Sequence, residues 1–496
     1  MNTLDAYKSH VRRIGRLESA IAVLYWDQRS YIPDRGNEAR AEVIGELTRR
    51  SFELSTSDTL GRYLEDLEGR EGLTEQEAAS LRVVGRNLRR KRAIPSEEFE
   101  RFTIAQSKSE TAWAKAREVS DFRLFQPHLE EIVDYVRRFA DYIGYEENRY
   151  DALLEEYEPG LTSRELRSII PPLRDALVPF LRQLMEEGEV PGPTPFKGAF
   201  PIEKQNDLSM RALRAIGFDF EAGRLDTTVH PFTITNGPGD VRVMTRFDPH
   251  DLKPGLFASL HEGGHGTYEQ SVDPSLAWTG IGEGASSGLH EAQSRLWENL
   301  IGRSRPFWVF FQPILAKVFP AFNEASPETL YRAANVVRPS FIRVEADEVT
   351  YNLHIMLRFE LEEDLINERI GASDLPDLWR EAMREYLGVI PEDDAQGMLQ
   401  DVHWSMGLFG YFPSYMLGNL YGAQIYAAMC SAMPDIETRI ENGNLIGLLE
   451  WLRETILRHG MTYEPMDLLE RVTGSRLDPS QFLRYVTAKF SDVYRL

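Results

Sequence analysis

The chain has 496 residues, and since a domain usually takes about 100 to 200, this length allows one large domain or about three ordinary ones. Its 56 Lys and Arg residues against 78 Asp and Glu residues give a formal net charge of −22, which argues against nucleic acid as a partner. Hydrophobic residues at 42% and aromatic residues at 11% are typical of a folded globular protein and exclude disorder for most of the chain.

Cysteine content and hydropathy restrict which metal sites and disulfides are possible and where in the cell the protein is expected. Cys430 is the single cysteine, so intrachain disulfides and multi-cysteine metal sites are excluded, and any metal must bind through His and carboxylates. The N-terminal sequence lacks the continuous apolar stretch of a signal peptide. The most apolar stretch, residues 307–319, is interrupted by Gln312, Pro313 and Lys317 and is shorter than the roughly 20 residues of a membrane helix. We therefore expect a soluble, cytoplasmic protein with no membrane partner.

Helical patterns run through most of the chain. Apolar residues recur every three or four positions at the start, which predicts an amphipathic first helix. Capping boxes, in which the two end side chains close each other's free N–H groups, predict three further helix starts. They are Thr74 with Glu77, Thr162 with Glu165, and Asp478 with Gln481. Long periodic segments cover residues 5–187 and 341 to the end, so the fold is predicted to be mostly α.

Two segments break the helical pattern. Residues 190–201 contain four prolines and two glycines, which cannot continue a helix, and we interpret them as a linker between two lobes. Residues 226–247 contain two runs rich in β-branched and aromatic residues on either side of Asn-Gly-Pro-Gly, which predicts a β-hairpin. Pro231 lacks a backbone donor, so its strand should lie at a sheet edge or carry a bulge.

A histidine cluster marks the candidate site. Five of the ten histidines fall between residues 230 and 290. Among them, His261 and His265 belong to the run His-Glu-Gly-Gly-His, and on a helix these two residues share a face, so both imidazoles can reach one Zn²⁺. Glu262 is then placed beside the open coordination position, where it can take a proton from the attacking water. Gly263 and Gly264 should each cost about 1 kcal/mol in a helix, so we expect a close approach by substrate or another helix.

A catalytic zinc usually has three protein ligands, so a third donor is required downstream. Glu291 is the candidate, because residues 290–299 are predicted to form a second helix. Glu298 lies seven positions further on the same face and is interpreted as a ligand or as a support of the site. His290 is either a surface residue of this helix or a support of the site.

Several motifs resemble those of the metal-dependent carboxypeptidases of the carboxypeptidase Taq type, in order and over nearly the whole chain. The matching segments are His230-Pro231-Phe232, His261-Glu262-Gly263-Gly264-His265, Ile342-Arg343-Val344-Glu345-Ala346-Asp347 and Gly397-Met398-Leu399-Gln400-Asp401-Val402-His403-Trp404. Two positions depart from the family pattern. Met244 replaces the threonine of Asp-x-Arg-x-Thr, and Ala292 replaces the Ser or Gly that follows His-Glu.

The resemblance implies a large helical metallopeptidase fold with a central cleft between helical lobes and a small β-hairpin or sheet beside the active site. We expect one peptidase domain over residues 1–496, with an N-terminal helical region at 1–190 and a catalytic region at 220–496. The resemblance also implies that His261, His265 and Glu291 bind the metal and that Glu262 is the general acid/base. It further implies one zinc or cobalt ion per chain, broad preference for the released residue, and a homodimer.

The remaining motif residues are candidates for substrate contacts. A guanidinium suits a terminal carboxylate because it can donate two parallel hydrogen bonds. Arg343 is the first candidate and Arg242 the second, and the alternative for each is a structural ion pair with a neighbouring Asp or Glu. Candidates for oxyanion stabilisation, alternatively packing residues of the core, are Tyr415, Tyr411 and His403. His230 and the hairpin are expected to line the substrate groove, or else only to pack.

We therefore predict a metallocarboxypeptidase that releases single amino acids from peptides with a free C-terminus. The nearest alternative is an endo-acting oligopeptidase or dipeptidyl carboxypeptidase with the same metal and base. A catalytically silent metal-binding scaffold belongs to a different class, and Glu262 argues against it, because a structural site needs ligands but no base.

Overall fold

A computed structural model describes residues 2–496. Within these residues the fold is mostly α-helical, as predicted, with one small sheet. The helices are α1 (Thr3–Ser30), α2 (Asn37–Ser55), α3 (Asp58–Leu67), α4 (Glu75–Ala93), α5 (Ser96–Val119), α6 (Gln126–Ile143), α7 (Asp151–Tyr157), α8 (Ser163–Glu187), α9 (Ile202–Ala215), α10 (Leu252–Ser271), α11 (Ser287–Arg295), α12 (Arg305–Val318), α13 (Pro327–Ala334), α14 (Tyr351–Ile366), α15 (Leu375–Leu387), α16 (Phe412–Ala432), α17 (Ile436–Glu441), α18 (Ile446–Thr455), α19 (Pro465–Thr473) and α20 (Ser480–Tyr494). None of the helices in this part of the chain combines the length and apolar character needed to cross a bilayer.

The helix starts follow the sequence signals in all but one place. The amphipathic first helix is α1, which buries Tyr7, Val11 and Ile14 on its apolar stripe. Reciprocal capping boxes form at Thr74 and Thr162. The prediction of a capping box at Asp478 is wrong. There the carboxylate accepts the backbone N–H of Ser480 at 3.0 Å, and α20 begins two residues after Asp478.

The predicted hairpin is confirmed as part of a three-stranded sheet with the order β1-β3-β2. Strands β2 (Phe232–Gly237) and β3 (Asp240–Thr245) are antiparallel, and Thr233 is paired with Val243. Strand β1 (Gly223–Thr227), which runs parallel to β3, was not predicted from the sequence. Pro231 lies just before β2, which is an edge strand, in agreement with its missing donor.

The described chain forms two compact units, each built from three segments. The first unit contains the chain up to Lys91, Gly192–Ala334 and Gly422–Arg476, and the second contains Arg92–Pro191, Asn335–Tyr421 and Leu477–Leu496. One boundary therefore falls inside the proline-rich segment 190–201, which forms no helix in the structure. The description of residues 1–496 as a single domain stays a prediction.

Helix α10 lies in the interior of the first unit, where it contacts α9, α11 and strands β2 and β3. Its glycines allow this packing. A Cβ on Gly264 would lie 2.6 Å from the carbonyl oxygen of Gln293 in α11, and a Cβ on Gly263 would collide with the side chain of Leu213 in α9. The close approach expected at these glycines is therefore made by two neighbouring helices, and it sets the distance between α10 and α11.

Candidate active site

The side chains of His261, His265 and Glu291 meet in the first unit. Because residues four apart on a helix share a face, the two imidazoles project side by side from α10, and α11 carries Glu291 up to them. Glu291 Oε2 lies 3.6 Å from His261 Nε2 and 3.5 Å from His265 Nε2. The donor atoms lie within 4.8 Å of one another. These three residues form a candidate metal site.

The spacing and chemistry of the donors fit a divalent metal. Ligand atoms bound at about 2.0 to 2.2 Å around a tetrahedral zinc lie about 3.4 Å apart, close to the separations from Glu291 to the two imidazoles. Two imidazoles and one carboxylate are also a donor set that leaves a fourth position open in catalytic zinc sites. Burial lowers the pKa of His265 to about 4, so its imidazole is neutral at pH 7, the form that binds metal.

Arg295 keeps Glu291 ionised. Its Nε donates to Glu291 Oε1 at 2.7 Å, while Oε2 is directed towards the two histidines. Burial disfavours the carboxylate, but the charge of Arg295 and the contacts with His261 and His265 lower the pKa of Glu291 far below its usual value. The third candidate ligand is therefore charged at neutral pH although it is buried.

Glu298 supports His261 on the side away from the candidate metal position. Its Oε2 lies 3.0 Å from His261 Nδ1, and its Oε1 accepts a hydrogen bond from Arg303 Nη2 at 2.8 Å. It belongs to a π-helical stretch, Leu296–Ile301, that directly follows α11, a geometry frequent at functional sites. Of the two roles considered for Glu298, the geometry favours support, because a carboxylate bonded to the second ring nitrogen fixes the tautomer of a histidine ligand.

A further histidine outside the candidate ligands, His290, contacts His265. The Nδ1 atoms of His265 and His290 are within hydrogen-bonding distance, and His290 Nε2 lies 2.7 Å from Glu269 Oε1. The His290 ring stacks on Tyr268 with 5.1 Å between centroids, and a Cβ on Gly284 would lie only 2.5 Å from His290 Cδ2. His290 is therefore held in place beside the site, which favours support over a plain surface role.

Glu262 is held beside the histidines by the sheet. Thr233 Oγ1 donates to Glu262 Oε2 at 2.8 Å, and Glu262 is only 7% exposed. Burial raises the pKa of Glu262, against the opposing effects of the His261 charge and the Thr233 hydrogen bond. A carboxyl group with a raised pKa next to a metal site is suited to taking up and releasing a proton.

In the second unit, Arg343 and Arg358 share the carboxylate of Asp401. Arg343 Nη2 donates to Asp401 Oδ1 and Arg358 Nε donates to Oδ2, both at 2.8 Å. Arg343 Nη1 also donates to the hydroxyl of Tyr351 at 3.0 Å. The three charged side chains are at most 10% exposed. Burial opposes ionisation of Asp401, but the two arginines lower its pKa far below the usual value.

The three residues considered for oxyanion stabilisation lie together near Arg343. His403 Nε2 is 3.3 Å from the hydroxyl of Tyr415, and the His403 ring stacks with Tyr411 at 5.7 Å between centroids. The Arg343 guanidinium lies 4.8 Å from the centre of the Tyr415 ring. Burial lowers the pKa of His403 to about 4, so this imidazole is neutral at pH 7.

Comparison with known proteins identifies the family. The sequence model of the family Carboxypeptidase Taq (M32) metallopeptidase matches residues 6–490 of this chain. The chain belongs to this family. It is 40% identical to Carboxypeptidase 1 of Bacillus subtilis (strain 168), over 98% of this chain and 97% of that protein. It is also 40% identical to Thermostable carboxypeptidase 1 of Thermus thermophilus, over 97% of each chain. A crystal structure of the M32 carboxypeptidase from Deinococcus radiodurans R1 superimposes with a TM-score of 0.97 at 35% identity, covering 100% of both chains.

Family membership confirms several predictions made from the sequence. The resemblance to carboxypeptidase Taq and the mostly α fold class are confirmed, and the chain is a metallocarboxypeptidase. Membership also implies that a divalent metal is part of the enzyme, and His261, His265 and Glu291 provide a candidate site for it.

In the first unit, Arg242 of the Asp-x-Arg motif on the hairpin contacts Asp240 and Trp26. Arg242 Nε and Nη2 donate to the two carboxylate oxygens of Asp240, both at 2.8 Å, and the guanidinium stacks 3.9 Å from the centre of the Trp26 ring. The indole N–H of Trp26 donates to the sulfur of Met244 at 3.2 Å. Met244 thus supplies an acceptor at the position where the family has threonine. His230 is exposed just before β2.

Three residues that make the contacts described above, Glu269, Thr233 and Arg358, were not predicted from the sequence. Glu269 lies four positions after His265 and eight after His261, so the 3.6-residue period of α10 could have placed it on the ligand face. Thr233 could be found only from the way β2 lies against α10. The role of Arg358 had no signal in the sequence, because 14 of the 16 residues of α14 are buried, including Arg358 itself, so polarity does not separate an exposed face from a buried one.

Proposed function

We propose that this metallocarboxypeptidase hydrolyses the last peptide bond of peptides with a free C-terminus and releases single amino acids with broad side-chain preference. The observation that carries the proposal is the placement of Glu262. This buried carboxylate immediately follows the first candidate ligand, His261, and is oriented by the hydroxyl of Thr233 at 2.8 Å. A purely structural metal site has no use for such a group.

The chemistry follows from these positions. A divalent metal held by His261, His265 and Glu291 would polarise the peptide carbonyl and make water more acidic. Glu262 accepts the proton of the attacking water and delivers it to the leaving amine. The hydrogen bond from Thr233 keeps the carboxylate in one orientation during both transfers. The reaction requires no covalent enzyme intermediate.

We propose that Arg343 binds the terminal carboxylate of the substrate. Two guanidinium groups, Arg343 and Arg358, share the single carboxylate of Asp401, so the buried group carries one net positive charge. An uncompensated buried charge is costly, and a substrate carboxylate would neutralise it. The pairing with Asp401 also fits the structural alternative for Arg343, and activity on amidated peptides distinguishes the two roles. Arg242, already paired with Asp240, is the second candidate.

The remaining roles are proposed from the family motifs. We propose Tyr415, Tyr411 or His403 as the donor to the developing oxyanion, a role open to phenol and neutral imidazole groups. His230 and the edge strand β2 are proposed to contact the extended peptide. Zinc is the proposed metal, with cobalt as the alternative, and the assembly is proposed to be a homodimer. The single cysteine is compatible with the proposed cytoplasmic location, where thiols stay reduced.

Mass spectrometry of the products over time tests the proposed reaction. Metal-loaded and chelated enzyme are incubated with a peptide whose N-terminus is blocked. We expect a ladder that shortens by one residue at a time from the C-terminus and that disappears on chelation. Internal cleavage would indicate an oligopeptidase, two-residue steps would indicate a dipeptidyl carboxypeptidase, and the absence of any product with zinc or cobalt would contradict the proposal.

The same peptide with an amidated C-terminus tests the carboxylate contact. Wild-type enzyme should lose most of its activity on the amide, because the anion that Arg343 binds is absent. Arg343→Ala should lower activity on the free acid and leave the low activity on the amide nearly unchanged. If Arg343→Ala kept both the wild-type activity on the free acid and the wild-type preference for the acid over the amide, Arg343 would be assigned to the structural ion pair alone.

A further inference from the structure

The two candidate histidine ligands differ in how their second ring nitrogen is supported. His261 Nδ1 lies directly against a carboxylate, Glu298 Oε2, at 3.0 Å. His265 Nδ1 meets another imidazole instead, and the carboxylate of Glu269 follows one step further, 2.7 Å from His290 Nε2. The result is a chain of two imidazoles and one carboxylate that ends at Thr235, whose hydroxyl donates to Glu269 Oε2 at 3.0 Å.

One arrangement of protons satisfies every member of this chain. His265 Nε2 points to the candidate metal position, 3.5 Å from Glu291 Oε2, so the proton of the neutral ring belongs on Nδ1. Two Nδ1 atoms in contact share one proton, and His290 Nδ1 must therefore accept it. The proton of His290 is then on Nε2, which donates to the acceptor-only carboxylate of Glu269. Glu269 thus selects the tautomer of His290, and His290 selects the tautomer of His265.

The chain is also fixed in space. Tyr268 covers one face of the His290 ring, and the peptide at Gly284 leaves no room for a side chain against its edge. The Glu269 side chain is 9% exposed, and Thr235 in β2 fixes its second oxygen. Since His265 and Glu269 are four residues apart on α10, any rotation of that helix moves both together.

We propose that Glu269 is a positioning residue of the metal site, which strengthens metal binding by orienting His265 through His290. Outer partners of histidine ligands typically contribute about 10- to 100-fold to metal affinity. The inference rests on the proposed use of His265 as a ligand, but it is independent of which peptide bond the enzyme cleaves.

Zinc affinity, measured by competition with a chelator on the full-length protein, tests this role without any use of turnover. Glu269→Met removes the acceptor and should weaken zinc binding by about 10- to 100-fold. Glu269→Gln keeps an acceptor oxygen but not the charge, and should give a smaller, several-fold loss. Glu283→Gln is the matched control, since the interactions of the Glu283 carboxyl with Glu269 and His290 are electrostatic, and its zinc affinity should stay within about twofold of wild type.

A double-mutant cycle separates positioning from a general loss of structure. Because Glu269 acts through His290, adding Glu269→Met to a His290→Phe variant should cause no further loss of zinc affinity. An additional tenfold loss there would overturn the proposal, and so would wild-type affinity in Glu269→Met. If the metal-free Glu269→Met protein does not fold, judged by thermal unfolding, wild-type affinity in Glu269→Gln would overturn it instead. Failure of the wild type to bind zinc, or unchanged affinity in His265→Ala, would reject the ligand assignment itself.

Discussion

Thr233 in β2 donates its hydroxyl to the carboxylate of Glu262 in α10 over 2.8 Å. The same hydroxyl lies 2.9 Å from the backbone carbonyl of Glu262, so the edge strand is bonded to the helix at the proposed base. Two residues further along β2, Thr235 contacts Glu269, because alternate residues of a strand share a face. The small sheet therefore positions two carboxylates of α10.

We expect Glu262→Gln to abolish turnover while zinc binding is retained. The amide has nearly the same shape as the carboxylate but cannot accept a proton, and general acid/base catalysis contributes about 10²- to 10⁴-fold. Release of the terminal amino acid and zinc content are measured on the same preparation. Thr233→Val should lower kcat by a smaller factor, because the base is kept and only its orientation is lost. Full turnover of a zinc-loaded Glu262→Gln enzyme would refute the proposed mechanism.

Gly264→Ala should destabilise the protein and weaken zinc binding. Its Cβ would lie 2.6 Å from the backbone of α11 at Gln293, and backbone cannot move aside as a side chain can. We expect a loss of about 1 to 3 kcal/mol in the free energy of unfolding, measured in urea, together with lower zinc affinity because α11 carries Glu291. Gly45→Ala in α2 is the control, since its Cβ meets nothing within 4 Å, and it should stabilise by up to about 1 kcal/mol. Equal effects of the two substitutions would contradict this explanation.

The grouping of the three candidate metal ligands could be predicted because its signal is local. His261 and His265 share a helix face, and the helix predicted for residues 290–299 carries Glu291. The glycines were recognised as unfavourable for helix stability alone, which indicated a close approach without naming the neighbour. That the neighbours are α9 and α11 depends on tertiary packing, and no local pattern in the sequence contains it.

The parts that were missed depend on contacts between residues far apart in the chain. Strand β1 pairs in parallel with β3, and a parallel pair has no hairpin turn between its strands that could be recognised in the sequence. The contact between Arg358 and Asp401 joins a largely buried helix to a loop residue 43 positions further along the chain. The capping box at Asp478 failed for a different reason, because Asp478 instead caps the N–H of Ser480 and the helix starts later.

We expect Asp401→Asn to reduce the free energy of unfolding by about 3 to 5 kcal/mol, because it leaves Arg343 and Arg358 buried side by side without an anion. The change is measured by unfolding in urea at neutral pH. Glu328→Gln is a suitable control, since it breaks an ion pair with Arg305 in which both side chains are more than 40% exposed. Such surface pairs contribute about 0 to 1 kcal/mol. A similar small loss for Asp401→Asn would indicate that another anion compensates the two arginines.

Glu362 in α14 should make stability depend on pH. It accepts hydrogen bonds from the Tyr150 hydroxyl, the Trp404 indole and the Gly410 backbone at 2.6, 2.7 and 3.2 Å. Burial nevertheless raises the pKa of Glu362 to about 7, whereas an unfolded Glu titrates near about 4.3. Between these values the folded protein binds the extra proton, so the contribution of this group to stability falls as the pH rises from about 4.5 to 7.

The expected size follows from about 1.4 kcal/mol per pKa unit, which gives a loss on the order of 3 kcal/mol across this range. Because other groups titrate in the same range, the measurement compares wild type with Glu362→Gln by urea unfolding at pH 5 and pH 8. The amide cannot ionise, so its stability relative to wild type should improve at pH 8 by about this amount. If the free energies of unfolding of wild type and Glu362→Gln differed by the same amount at pH 5 and pH 8, Glu362 would have an ordinary pKa in the folded state.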